Sequence, residues 1–325
     1  MFYRSYASRM QLFRDRFASW QETQVGVSEE GRPIIAFHNG SLEDTQVLAW
    51  SLMHGNETTG AEALLAMPVQ LQVNWCMIPI VNPDGAERFS RVNAKGVDVN
   101  RDARALESAE AKALHWAFEQ TQPELALNLH DQRTCFRPEG VGLPATFSLL
   151  APRSSEKGGC PNEIKAAACC SWVAQFLADS FENYALARFD NAFYPTAFGD
   201  LFQEKVPTIT LETGIALGDW NREGVATVLR DVLSALDEDY GQNGNLPQAV
   251  DAYYQLPMNV NDAVDVCWES EEGHACYKLE QSLIDGELTR EPVKVNNPCG
   301  ICWLTLSNDS SQYSSINQVN WEEYL

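Results

Sequence analysis

The chain has 325 residues, and its 45% hydrophobic content is enough for a sizeable core and excludes a wholly disordered protein. Its 45 acidic residues against 23 basic ones give a net charge of −22, which excludes a nucleic-acid partner held by a basic surface. No run of about 20 apolar residues is present, so the sequence predicts neither a membrane-spanning helix nor a membrane partner.

Nine cysteines occur, an odd number spread over the whole chain, and Cys169 and Cys170 are adjacent. A disulfide framework has a different spacing, so we expect thiols in a reducing compartment. The first residues lack the apolar run and small-residue cleavage site of a secretory signal. Both observations predict a cytoplasmic protein.

Residues 25–240 alternate short apolar, β-favouring runs with helix-like segments. The predicted strands cover residues 34–37, 47–53, 75–81, 125–129, 147–151 and 208–211. The predicted helices cover residues 57–67, 107–120, 163–181 and 223–236. This alternation predicts an α/β fold with a mostly parallel central sheet and helices on both faces. Ligands of such sheets bind at the loops after the carboxyl ends of strands.

The pattern changes after residue 240. The segment GQNGNLPQ (241–248) is a loop by composition, and short apolar runs follow at residues 264–268, 276–279, 292–295 and 301–306. We therefore predict a domain over residues 1–240 and a small β-rich C-terminal appendage over residues 241–325. The acidic residues 237–239 predict a solvated helix end just before the boundary.

Two of the five histidines directly follow predicted strands. His54 opens HGNETTG, so Glu57 lies three residues further on, and His130 ends LALNLH. Two imidazoles and a carboxylate at strand ends satisfy zinc with three protein ligands and leave one position open. The alternative is that each histidine is merely packed or hydrogen-bonded.

Further charged residues follow other predicted strands. Arg91 and the Asn100–Arg101 pair lie in RVNAKGVDVNR (91–101), where a guanidinium and an amide suit a carboxylate ligand. Glu212 ends the strand in PTITLETG (207–214), either as a structural group or as a general base. A solvated turn is the alternative for the arginines.

Six motifs together resemble the zinc metallocarboxypeptidase family of carboxypeptidases A and B. In chain order they are GVSEEGRPI (26–34), HGNE (54–57), NPDG (82–85), RVNAKGVDVNR (91–101), NLH (128–130) and TLETG (210–214). The resemblance covers residues 25–240 and implies a mixed, mostly parallel sheet and one Zn²⁺ ion.

The resemblance implies a role for each matching residue. His54, Glu57 and His130 match the zinc ligands, and Glu212 matches the glutamate that activates water and protonates the leaving amine. The other positions match the arginine that stabilises the oxyanion (Arg91) and the pair that binds the substrate's terminal carboxylate (Asn100 and Arg101).

Some positions depart from the family pattern. Asn56 stands where the zinc motif usually has arginine, and HGNE resembles the aspartoacylase and succinylglutamate desuccinylase branch. The family also has a mobile tyrosine before the catalytic glutamate. Tyr194 is assigned to this substrate-binding role, with a packed loop aromatic as the alternative. Asp200 in the same loop is a candidate partner for a cationic substrate side chain.

The appendage contains Cys299 and Cys302 in a C-x-x-C spacing, with Cys267, His274 and Cys276 upstream. These residues predict either a second, structural zinc site or small buried apolar side chains, and one C-x-x-C pair alone favours the second interpretation.

The leading hypothesis is a zinc-dependent hydrolase that removes a C-terminal amino acid from a peptide. The nearest alternative is an N-acyl amino acid deacylase that uses the same zinc site; both substrates carry a free carboxylate. A non-catalytic binding protein on the same scaffold is disfavoured, because all the expected ligands and the glutamate are present.

Overall fold

A computed structural model describes residues 3–133, 135–181, 184–190, 192–270, 273–296, 300–307 and 315–321. The helices are α1 (Tyr6–Arg16), α2 (Thr59–Ala66), α3 (Pro83–Arg88), α4 (Ala109–Thr121), α5 (Pro161–Ser180), α6 (Phe198–Gln203), α7 (Glu223–Asn243) and α8 (Asp251–Gln255). The strands of the first 240 residues are β1 (Gln21–Val27), β2 (Pro33–His38), β3 (Val47–Trp50), β4 (Trp75–Ile78), β5 (Leu125–Asp131), β6 (Phe136–Pro138), β7 (Ala145–Leu150), β8 (Ala185–Arg188) and β9 (Thr208–Thr213). The later strands are β10 (Asn259–Asn261), β11 (Val264–Ser270), β12 (Gly273–Ile284), β13 (Glu287–Val295) and β14 (Cys302–Ser307).

The central sheet has eight strands in the order β1-β2-β4-β3-β5-β9-β7-β8. Its middle is parallel, because β4, β3, β5 and β9 run in one direction, whereas β1–β2, β2–β4 and β7–β9 pair antiparallel. Helices between the parallel strands return the chain to the same edge, as crossover connections require. The carboxyl ends of β3, β5 and β9 therefore lie side by side.

Alternate residues of the central strands enter two separate cores. Leu125, Leu127 and Leu129 of β5 join a cluster with residues of α2, α5 and α7, whereas Ala126 joins residues of α4 and α6 on the opposite face. A strand buried on both faces needs apolar residues at nearly every position, which explains the continuous apolar runs. The predicted α/β fold with helices on both faces is confirmed.

The predicted strand over residues 47–53 ends early, at Trp50. Leu52 has a φ of 47°, which turns the chain out of the sheet and into the loop that carries His54. No helix in the described ranges is both long and apolar enough to span a membrane.

The C-terminal strands form a second sheet in the order β13-β12-β11-β14. One face packs through Val266, Trp268 and Leu306 against Ile215 and Trp220, which lie just after β9. The predicted β-rich appendage is thus present, and it contacts the loop that follows Glu212.

The prediction of a solvated helix end at residues 237–239 is wrong for Asp237. Helix α7 continues to Asn243, and Asp237 is 3% exposed. Its carboxylate accepts hydrogen bonds from the backbone N–H groups of Gln72 and Val73 and from the indole N–H of Trp75. A buried carboxylate with three donors ties α7 to β4.

Candidate metal centre and adjoining cavity

The loop after β3 places His54 against the turn that begins α3. A Cβ atom at Gly55 would lie 1.9 Å from the carbonyl carbon of Gly85, so only glycine fits there. Asn82 caps α3 through the N–H of Gly85 and donates to the carbonyl of Met53, next to His54. The glycines of HGNE and NPDG are therefore explained by this close backbone approach.

Three predicted metal ligands converge at the carboxyl edge of the sheet. The two carboxylate oxygens of Glu57 lie 2.7 Å from Nδ1 of His54 and 2.7 Å from Nδ1 of His130. Their ligand atoms all lie within 4.8 Å of one another, and all three residues are at most 3% exposed. This arrangement brings together residues 73 positions apart in the chain.

The donor set fits a zinc ion. Both imidazoles present the same ring nitrogen, a carboxylate stands between them, and three protein ligands leave a fourth position open, as in catalytic zinc sites. Burial acts to lower the pKa of His54, but the charge of Glu57 and hydrogen bonds to Asp98 and Glu57 raise it to about 9. Burial acts to raise the pKa of Glu57, but both imidazoles hold it well below its usual value. A site that attracts positive charge so strongly favours a cation.

Two carboxylates that were not predicted support these ligands. Asp98 accepts at Oδ1 from Nε2 of His54 over 3.0 Å, on the ring side opposite Glu57. Asp131 accepts from the N–H of Thr59 at the start of α2 and from the hydroxyl of Thr213. Asp98 thus orients His54, and Asp131 fixes the start of α2, the helix that follows Glu57. Asp98 could have been found because ligating histidines almost always donate their second N–H to such a group.

Glu212 lies beside His130 on the neighbouring strand. The two residues are directly paired in the parallel register of β5 and β9, and Glu212 lines a cavity of about 220 Å³ with His130. Burial, together with the charges of Glu57 and Asp131, raises the pKa of Glu212 to about 7 although His130 and His54 act to lower it. A carboxyl group with this pKa can both take and return a proton near neutral pH.

The strand ends that hold these two residues are linked by Arg222. Its guanidinium donates to the carbonyl oxygens of Gly214, Gln132 and Arg133, and the residue is 6% exposed. Sequence reasoning missed this residue, because its partners are backbone atoms of distant loops.

The predicted carboxylate-binding pair lines the same cavity. Nδ2 of Asn100 lies 3.4 Å from Nε2 of His130, and its Oδ1 accepts from the N–H of Phe198. Arg101 is exposed at the rim, with its guanidinium 5.9 Å from the ring centre of Tyr194. Tyr194 is 48% exposed, so it is a rim residue and not a packed loop aromatic.

Arg91 lies on the metal side of the cavity. It donates from Nη1 to Glu57 over 3.3 Å and from Nε to Asp98 over 3.1 Å, with 47% of its side chain exposed. The structure therefore brings all eight predicted site residues to one edge of the sheet: His54, Glu57, His130, Glu212, Arg91, Asn100, Arg101 and Tyr194.

Asp200 is a buried acid on the cavity wall. It is 3% exposed and accepts from the N–H of Tyr194 over 2.9 Å. Burial raises its pKa to about 7, while the Tyr194 N–H and the charge of Arg101 act to lower it.

Comparisons with known proteins agree with this geometry. Carboxypeptidase 2 of Trichophyton rubrum is 27% identical over 125 residues, which cover 32% of this chain and 23% of that protein. The chain thus spans about a quarter of the length of the curated relatives that it matches. No family model matches the sequence.

Solved structures show the same fold. The metallo-carboxypeptidase of Burkholderia cenocepacia superposes with a TM-score of 0.55 at 16% identity, over 73% of this chain and 69% of that one. Carboxypeptidase A of Helicoverpa armigera superposes with a TM-score of 0.54 at 17% identity, over 74% of this chain and 73% of that one. The chain has the metallo-carboxypeptidase fold, and the predicted resemblance to carboxypeptidases is confirmed. The likeness of HGNE to the aspartoacylase branch stays a prediction.

Proposed function

We propose that this protein is a zinc-dependent hydrolase that removes the C-terminal amino acid from a peptide. The observation that carries the proposal is the convergence of His54, Glu57 and His130, within 4.8 Å of one another, beside Glu212 in this fold. Homology to carboxypeptidase 2 over part of the chain supports the same activity.

The protein residues divide the work of hydrolysis. His54, Glu57 and His130 would hold a zinc ion, whose positive charge would polarise the scissile carbonyl and acidify water. Glu212 takes a proton from the attacking water on a carboxylate oxygen and passes it to the leaving nitrogen as the C–N bond breaks. Its pKa of about 7 suits both transfers.

Positive and polar side chains hold the substrate in this proposal. Arg91 stabilises the negative charge that develops on the carbonyl oxygen, because its guanidinium already faces the ligand cluster. Asn100 and Arg101 bind the free carboxylate of the C-terminal residue, and Tyr194 covers it from the rim.

A second candidate is an N-acyl amino acid deacylase that uses the same zinc site. The size of the cavity favours it: about 220 Å³ is smaller than the roughly 300–1,000 Å³ of common ligand pockets. The HGNE motif also favours it, because Asn56 departs from the carboxypeptidase motif. Asn56 lies next to the appendage, where Arg133 donates both to the carbonyl of Asn56 and to the side chain of Gln281.

A three-substrate assay tests both functions. The zinc-loaded protein is given an N-blocked dipeptide, the same dipeptide with an amidated C-terminus, and an N-acetyl amino acid. A carboxypeptidase cleaves the first best, a deacylase cleaves the third best, and neither cleaves the amide well. Efficient cleavage of the amide contradicts the assignment of Asn100 and Arg101.

Arg101→Ala should raise the KM for the preferred substrate at least tenfold. Arg104→Ala changes an exposed arginine three residues away and should not raise it.

We also propose a catalytic domain followed by a C-terminal extension. The boundary expected at residue 240 falls inside α7, which runs to Asn243, and Tyr253 of α8 packs in the main core, so the extension begins after α8. The cysteine pattern supports a cytoplasmic location, which cell fractionation tests directly.

A further inference from the structure

The C-terminal sheet gathers thiols on the face opposite the one that packs against Ile215 and Trp220. Its inner face uses Val266 and Trp268, whereas the second face of β11 holds Cys267 in a small cluster with Cys276 and Cys302. These three cysteines come from three neighbouring strands: β11, β12 and β14. Cysteines far apart in sequence are therefore neighbours in the fold.

The strand register brings a histidine to the same place. Cys267 is directly opposite Cys276, and the next pair on that face is Glu269 opposite His274. The sulfur atoms of Cys267 and Cys276 are 3.0 Å apart, and the ligand atoms of Cys267, His274 and Cys276 all lie within 4.8 Å of one another.

Cys302 lies beside this group of three donors, next to Cys267. Burial raises the pKa of the Cys267 thiol, and hydrogen bonds to the thiols of Cys276 and Cys302 raise it further. Cys302 is therefore within hydrogen-bond reach of Cys267. Cys299, the other half of the C-x-x-C spacing, lies outside the described residues.

Other cysteines of the chain differ from this cluster. Cys169 and Cys170 are fully buried in the main apolar core on α5, where a thiol acts as a small apolar side chain. His274 is 56% exposed, and its Nδ1 lies 3.8 Å from Oε1 of Glu269. An imidazole beside thiols is a common combination of zinc ligands.

We propose that Cys267, Cys276, Cys302 and His274 bind one structural zinc ion. Three thiolates and an imidazole are a common closed ligand set for zinc. Each thiol loses its proton when it binds, so zinc binding releases protons and weakens as the pH falls. The ion would hold β11, β12 and β14 together on a face whose apolar core is small. This site does not depend on the function proposed for His54, Glu57 and His130.

Cobalt substitution tests the proposal on the full-length, reduced and metal-free chain. Co²⁺ bound by thiolates gives a sulfur-to-metal charge-transfer band in the near ultraviolet, which the sulfur-free ligands His54, Glu57 and His130 do not give. We expect the band in the wild type and in His54→Ala. We expect the band to be lost in Cys276→Ser. In His274→Ala, we expect the apparent affinity for Co²⁺ to be at least tenfold weaker.

Matched controls separate ligand loss from unfolding. Cys160→Ser removes a partly buried thiol elsewhere and should keep the full band. His274 is exposed, so His274→Ala should fold like the wild type by circular dichroism. A wild type without the band, a His274→Ala variant with unchanged affinity, or a Cys267–Cys276 disulfide in zinc-loaded protein overturns the proposal.

Discussion

Oδ1 of Asp98 lies 3.0 Å from Nε2 of His54, and Nδ1 of the same ring lies 2.7 Å from Glu57. The imidazole is thus held between two carboxylates, and because Nε2 donates to Asp98, Nδ1 is the nitrogen that would bind a metal ion. Asp98 also accepts from the N–H of Asn100, which links the metal centre to the proposed substrate clamp.

Asp98→Asn should therefore weaken zinc binding at the His54 site about 10- to 100-fold while the protein stays folded, because the ligand ring loses its anionic partner. Metal analysis after equilibration in zinc buffers measures this change. Asp44→Asn, a change at an exposed aspartate bonded to Ser41, is the control and should have no effect. Equal zinc affinity of Asp98→Asn and wild type would show that Asp98 does not orient His54.

Gly55→Ala tests the packing of the metal-binding loop. The added methyl would lie 1.9 Å from the carbonyl carbon of Gly85, so we expect a loss of about 3 kcal/mol or more in the free energy of unfolding, together with weaker zinc binding. Chemical denaturation measures the first effect. Gly142→Ala is the matched control, because an added Cβ meets no atom within 4 Å there, and it should change stability little. Similar stability of the two variants is incompatible with the described contact.

The raised pKa of Asp200 predicts that the stability of the fold depends on pH. Its pKa is about 7 in the folded protein and about 3.9 in an unfolded chain, so the folded state holds the proton more tightly. The contribution of Asp200 to stability therefore falls as the pH rises from about 4 through 7. The other charged groups lining the cavity are Arg101, Asp190, His130 and Glu212.

Asp200→Asn removes this titration while an amide oxygen can still accept from the Tyr194 N–H. Between pH 5 and pH 8 the wild type should lose roughly 2–3 kcal/mol more unfolding free energy than Asp200→Asn. Denaturant unfolding at both pH values measures the difference. Asp190→Asn, at an exposed acid of the same cavity, should behave like the wild type. Parallel stability curves for Asp200→Asn and wild type would mean that Asp200 titrates normally.

The sequence predicted the central sheet because buried parallel strands are recognisable as continuous apolar runs. It also predicted where His54 and His130 meet, since parallel strands end at one edge. Asp98 and Asp131 were missed because an acidic loop residue looks the same in sequence whether it is solvated or supports a ligand. Helix α1 lies outside the predicted elements, because its buried residues Met10 and Phe13 are few among charged ones.

The cysteine cluster shows a different limit of sequence reasoning. Cys267 and Cys276 are brought together by the register of β11 with β12, whereas Cys302 joins them from β14, where it is paired with Val264. A pairing register depends on long-range contacts, so spacing alone did not separate a metal site from buried small residues.

The central claim is that His54, Glu57 and His130 hold the metal while Glu212 moves the proton. Measuring metal content and turnover together in Glu212→Gln and His130→Ala tests it most directly. Glu212→Gln should keep the metal content of the wild type and lose about 10²- to 10⁴-fold in kcat on the preferred substrate, because only the general base is removed. His130→Ala should lose one metal ion per chain and its activity together. A Glu212→Gln variant with near-normal turnover, or a His130→Ala variant with full metal content, would contradict the account.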